Sequence, residues 1–212
     1  MKKLSAIDVL LKSSWAILTL GSVFLFFITA SYLNFCSECN FLLKKQDVVY
    51  NPFWRTAFYF HITGGMLAII TGPLQFVKAF RKRFMKVHRV IGKIYIAAIL
   101  FLAGPTGLFM AFYAEGGTFS IIGFLFMSTL WLTTTYLAYE SIRKKDFVAH
   151  RDWMVRSFAL SLAAVTLRTC VPILTYYLGF DAETVITWSA WFSWVPNLII
   201  AELLIRFFSK KL

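Results

Sequence analysis

The sequence predicts an all-α polytopic membrane bundle of six transmembrane helices, with both termini on the cytoplasmic side. Three observations carry that prediction. Of 212 residues, 59% are hydrophobic and 18% aromatic, at a mean hydropathy of +0.69, whereas a soluble domain is about half apolar and about a quarter charged. Six stretches reach the roughly 20 apolar residues that cross a hydrocarbon core at about 1.5 Å of rise each. None shows the alternating pattern of a membrane barrel, and backbone amides in lipid must be bonded internally, so helices are the solution left.

The first span, near residues 13–33, follows "MKK". Its apolar region is longer than that of a secretory signal and no A-x-A cleavage site follows, so it reads as a retained anchor. The next connection, about 34–53, is the longest and holds "CSEC". Outside the cytoplasm Cys36 and Cys39 can close a local disulfide. A working thiol-exchange pair would sit at a helix start in a thioredoxin-like unit, which is missing. The remaining spans fall near 54–77, 92–113, 118–139, 154–178 and 187–208. Cys170, within the fifth, reads as a small apolar filler. Trp188, Trp191 and Trp194, near the outer start of the sixth, read as an interfacial aromatic belt. With no linker, low-complexity stretch or soluble insert, residues 1–212 form one domain.

Orientation follows from the basic residues, because short loops rich in Lys and Arg stay cytoplasmic. All but four of the 22 lie at the N-terminus, in the 78–93 and 140–156 loops, or at the C-terminus, the exceptions being Lys44, Lys45, Arg55 and Arg168. Both termini are therefore expected on the cytoplasmic side. The net charge of +12 sits at cytoplasmic helix ends, where sorting and anionic lipid put it, which argues against nucleic-acid binding.

Polar residues inside the spans align on helical faces. A residue 18 positions further along has completed five turns and faces the same way. His150 and Arg168 are so related, and Ser157, Ser161, Ala164 and Thr175 fall within about 40° of their line. The same operation aligns His61 with Gly65, Ala68, Gly72 and Gln75, and His88 with Gly92, Tyr95 and Thr106. Small residues let helices approach closely and ionisable ones turn toward the interior. The three histidines are expected to point inward. A plainer alternative is helix packing, each imidazole hydrogen-bonded to a neighbour's backbone.

Depth divides the histidines. His88 and His150, each followed by an arginine, lie at similar height at cytoplasmic helix ends, whereas His61 lies roughly 10 Å inside the outer end of its span. Arg168 is near mid-membrane, where a cation costs about 2.5–3.5 kcal/mol and calls for a partner. Candidates are Asn197, carbonyls freed by Pro172, or an anionic ligand. Glu202 is expected to meet Arg156 instead.

The segments "HITGGMLAIITGPLQF", "HRVIGKIY" and "HRDWMVRSFALSLAAVTLR" resemble the signature of the bacterial membrane proteins grouped as domain of unknown function 2306, across about residues 58–175. Membership implies a helical membrane domain and brings no established activity. The family is in turn loosely similar to two-haem membrane cytochromes.

A b-type haem needs two neutral imidazoles at equal depth on facing helices, with arginines near its propionates. His88 and His150 meet the depth condition as ligands to a haem iron, with Arg89 and Arg151 beside them. A second haem lacks a histidine partner for His61, so an axial sulfur from Met127 or Met110 would have to be invoked. The favoured expectation is a haem- or quinone-linked redox protein with a cytoplasmic His88/His150 site. One alternative is an anion site for a lipid headgroup or phosphorylated substrate, formed by two helix N-termini with Arg89, Lys93, Arg151 and Arg156. Another is a structural subunit of a larger membrane complex. No Ser-His-Asp order, H-E-x-x-H or P-loop points to hydrolysis, and zinc-ligand spacing is missing.

Overall fold

The computed structural model describes residues 19–209, which are helical apart from short connections. The helices are α1 (Thr19–Asn34), α2 (Pro52–Phe76), the short α3 (Lys78–Arg83), α4 (Met85–Ala111), α5 (Gly117–Arg143), α6 (Phe147–Tyr177) and α7 (Ala182–Phe207). Five of these, α2 and α4–α7, are long and apolar enough to cross a membrane. The described part of α1 is apolar but shorter. Residues 13–18, where the first span was expected to begin, lie outside the described residues.

Three of the spanning helices, α2, α6 and α7, begin before the apolar runs because caps, not hydropathy, set their starts. The Asn51 side chain accepts from the Phe53 and Trp54 amides at 2.9 and 3.4 Å ahead of Pro52. Asp146 accepts from Ala149 at 2.9 Å, and Asp181 from Thr184 at 2.8 Å. Each satisfies an amide that the first turn leaves orphaned. His150 thereby lies inside α6 rather than in a loop; His88 also lies inside its helix, although α4 starts at Met85 without a side-chain cap.

Three helices are interrupted beside a proline, in α4 and α7 on the preceding turn, which a proline crowds while removing a donor. In α4 a wide π-turn covers Ala98–Ala103, just before Pro105, and the Gly104 amide donates to the Ile99 carbonyl. In α6 the π-turn Ile173–Tyr177 follows Pro172. In α7 the chain turns at Ser193 and Trp194, just before Pro196. Helix α6 also carries a single non-helical turn at Leu162.

The core has two parts. The larger joins α1, α2 and α4–α7 through residues such as Ile69, Tyr95, Ile99, Trp131, Phe158 and Leu160. The smaller folds the 35–51 connection onto the start of α2, burying Leu42 and Val49 against Tyr32, Trp54, Phe58 and Ile62. There Cys36 and Cys39 form a disulfide. Buried Lys45 donates to the Tyr113 carbonyl at 2.7 Å and pairs with Glu115 at 3.2 Å, tying this connection to the α4–α5 turn. Glycines set the closest helix contacts. At Gly64 a Cβ would lie 2.8 Å from the Ala103 amide nitrogen and the Ala98 carbonyl oxygen.

The aromatic belt needs correction. Trp188 is 56% exposed, but Trp194 is 6% exposed, sits in the main core, and donates to the Ala190 carbonyl at 2.7 Å. Six residues along a helix turn about 240°, so the two indoles cannot share a face.

Candidate functional site

His88 and His150 each stand three residues into their helices, roughly 4.5 Å from the start. His150 Nδ1 lies 2.7 Å from the Ala138 carbonyl of α5. A carbonyl only accepts, so Nδ1 carries the proton and the ring is fixed with Nε2 free of that bond. His88 Nδ1 is buried and has no hydrogen-bond partner among the described residues. His150, Arg81 and Arg89 lie within electrostatic reach of the His88 ring. One turn further along α4, Gly92 leaves room for the Gln75 side chain, whose oxygen is 3.1 Å from where a Cβ would stand. Gln75 Nε2 is likewise buried and unpartnered among the described residues. Buried polar atoms normally find partners, so two orphans on the α2–α4 face at this end call for an explanation.

The four-cation anion site is not assembled as expected. Arg151 donates from Nε to Asp152 at 2.8 Å and pairs with it through its terminal nitrogen at the same distance. Arg156 is held by Glu202 in a two-nitrogen fork, as the sequence suggested, and lies 4.5 Å over the Trp153 ring. Both charges are thus committed. Arg89 and Lys93 remain exposed.

Further in, a fully buried polar hub joins three helices. Tyr95 Oη lies 2.9 Å from Ser157 Oγ and 3.1 Å from Ser161 Oγ. Thr135 Oγ1 meets Ser157 Oγ at 2.7 Å, and the Trp131 indole donates to Ser161 Oγ at 3.0 Å. The serine stripe on α6 therefore faces inward as expected. Its partners Trp131 and Thr135 on α5 were not foreseen; the signal was the polar run "TTT" at 133–135, inside an otherwise apolar span.

His61 and Arg168 meet at a different level from the other two histidines. Nine residues separate His61 from Pro52, and Arg168 from Tyr177, so both lie about 14 Å from the same end of the bundle. His61 is thus deeper than expected, because α2 starts two residues earlier. They line a cavity of about 70 Å³ with Thr29, Gly65, Met127 and Ser161. His61 Nδ1 donates to the Ala103 carbonyl at 2.8 Å, which leaves Nε2 free of that bond. The ring fits only because position 107 is glycine: a Cβ there would be 2.9 Å from His61 Cε1. Gly107 lies on α4, so the alignment of His61 with residues of its own helix does not reveal it. Met127 shares the cavity, but the space is far smaller than a porphyrin.

Asn197 is not the partner of Arg168. Its side chain exchanges hydrogen bonds with Thr166 at 3.0 and 3.2 Å and donates to the Ser193 carbonyl at 3.0 Å. The turn before Pro196 freed that carbonyl. Among the described residues, no hydrogen bond or ion pair reaches the Arg168 guanidinium; Tyr32 and His61 are within electrostatic reach. No group of three or more His, Cys, Asp or Glu suited to a metal occurs among the described residues.

A family model described as "Predicted membrane protein (DUF2306)" matches residues 58–205. No curated protein and no solved structure matches the chain, so neither comparison carries the expected further similarity to two-haem cytochromes.

Proposed function

This chain belongs to the DUF2306 family of predicted membrane proteins, and from that premise we propose that it is a redox protein of a bacterial inner membrane, holding one b-type haem between His88 and His150. The observation that carries the reading is that these imidazoles each stand three residues into their helices and lie within electrostatic reach of each other. His150 is oriented by Nδ1 donation to Ala138, the arrangement by which ligating histidines are held with Nε2 available. Among the described residues His88 Nδ1 has no hydrogen-bond partner, which leaves that nitrogen uncommitted. Both stand in first turns at the basic end, which positive-inside sorting makes cytoplasmic, with both termini on that side and anionic lipid around the exposed Arg89 and Lys93.

When bound, haem would supply one-electron transfer at the membrane surface. The residues of the chain have simpler tasks. His88 and His150 would supply two neutral nitrogens, with the His150 ring fixed by the Ala138 carbonyl, and Arg89 would offer a counter-charge to a propionate. Arg151, already paired with Asp152, contributes less than the sequence suggested.

The test is a visible spectrum of the protein purified in mild detergent with haem supplied, before and after dithionite. A Soret band that shifts on reduction is expected, and His88→Ala or His150→Ala should each abolish it while His61→Ala keeps it. A colourless, folded wild type would overturn the reading.

A further inference from the structure

We infer that the cavity between His61 and Arg168 binds the carboxylate headgroup of a lipophilic acid that enters from the bilayer. This site is separate from the His88/His150 pair and stands whether or not that pair holds haem. The argument rests on what the cavity contains and what surrounds it.

The guanidinium of Arg168 lines the cavity about 14 Å from the nearer helix end and has no hydrogen-bonding or ion-pairing partner among the described residues. A cation at such depth is retained when something neutralises it or when it serves a ligand. His61 shares the cavity with its ring fixed by Ala103, and Thr29 and Ser161 add hydroxyls. Ser161 is already engaged by Tyr95 and Trp131, which leaves Arg168, His61 and Thr29 as the groups available to a ligand. Together they can satisfy a planar, two-oxygen acceptor, which a guanidinium recognises in a fork.

The walls select against a water-borne ligand. On the side of the disulfide, the folded 35–51 connection and the Trp54–Phe58 cluster close the bundle. On the opposite side stand Ile69, Leu160 and the Tyr95–Ser161 hub. Ile62 belongs to the first cluster and Leu25, Ile69 and Trp131 to the second, and all four line the cavity, which thus lies between two packed layers. Among the described residues these layers leave the lateral direction, beside α1, as the way in. At about 70 Å³ the space suits a few waters or a carboxylate with its first methylenes, not a ring system.

The experiment uses the full chain in a maltoside detergent with oleate isotopically labelled at the carboxyl carbon, followed by NMR. A saturable bound carboxyl signal, one per chain, is expected. Arg168→Gln should weaken it at least about tenfold, the loss of a charge-assisted partner. Gly65→Leu should abolish binding by filling the cavity with Arg168 intact, since nothing lies within 4 Å of a Cβ at that position. Three results overturn the inference: methyl oleate competing as well as oleate, which means tail recognition only; chloride displacing the signal at equal concentration, which assigns the cavity to a free inorganic anion; or both folded variants binding as the wild type does.

Discussion

Gly64 and Gly65 are neighbours in sequence, yet the structure assigns them opposite responses to one added methyl group. At Gly64 a Cβ would come within 2.8 Å of the Ala103 nitrogen and the Ala98 oxygen and 2.9 Å of the Ala103 Cβ. Comfortable separation is about 3.5–4.0 Å, so α2 and the π-turn of α4 must part by most of an ångström. The atoms in the way are backbone, which cannot swing aside. Overpacking of this kind costs about 1–3 kcal/mol, against which alanine returns up to about 1 kcal/mol of helix propensity. Gly64→Ala should therefore lose about 1–2 kcal/mol. Gly65→Ala meets nothing within 4 Å and should gain up to about 1 kcal/mol from the same propensity term. Because His61 donates to Ala103, one turn away on the same contact, the Gly64 variant should also loosen His61. The assay is unfolding in detergent, by heat or by titration with a denaturing detergent, with helicity as the probe. The reasoning fails if Gly64→Ala is as stable as wild type, or if Gly65→Ala falls as far as its neighbour.

Other outcomes follow from the same contacts. Tyr95→Phe removes one hydroxyl from a hub whose serines keep other partners, so a loss of about 1 kcal/mol is expected, while Ser161→Ala also strands the Trp131 indole and should lose about 1–3 kcal/mol in the same unfolding assay. A double-mutant cycle on Arg156 and Glu202, which are partly exposed, should give a coupling of about 0.5–1 kcal/mol; a value near zero would mean the pair is ornamental. Trp194→Ala should cost about 3–5 kcal/mol as a core truncation, and Trp188→Ala, at an exposed site, well under 1 kcal/mol; equal losses would restore the belt reading for both.

Hydropathy made the helices legible because lipid imposes one backbone solution, but it located their apolar middles rather than their ends. Asn51, Asp146 and Asp181 set three of the starts through side-chain caps, a signal visible in the sequence but outvoted by apolar runs. The helical-wheel argument found the inward faces of α2 and α6: Gly72, Gln75, Ser157 and Ser161 are all buried. It could not name who meets whom, since Tyr95, Thr135 and Trp131 come from two other helices. Partner choice for charges was legible only where depth alone decided it, as for Arg156 with Glu202. Asn197 matched Arg168 in depth but not in direction, because the turn ahead of Pro196 offered it a closer carbonyl.

The wide turn at Ala98–Ala103 puts the two halves of α4 out of phase. Each residue in a helix advances the face by about 100°, so one residue accommodated there redirects everything beyond it. That is how one helix offers His88 and Tyr95 to one set of neighbours and Gly107 to His61. Deleting a single residue from this segment would leave the basic half in place while swinging Gly107 away and driving a side chain into the His61 ring. Insertions and deletions among related chains should accordingly be scarce here and, where they occur, be matched by a change at position 61.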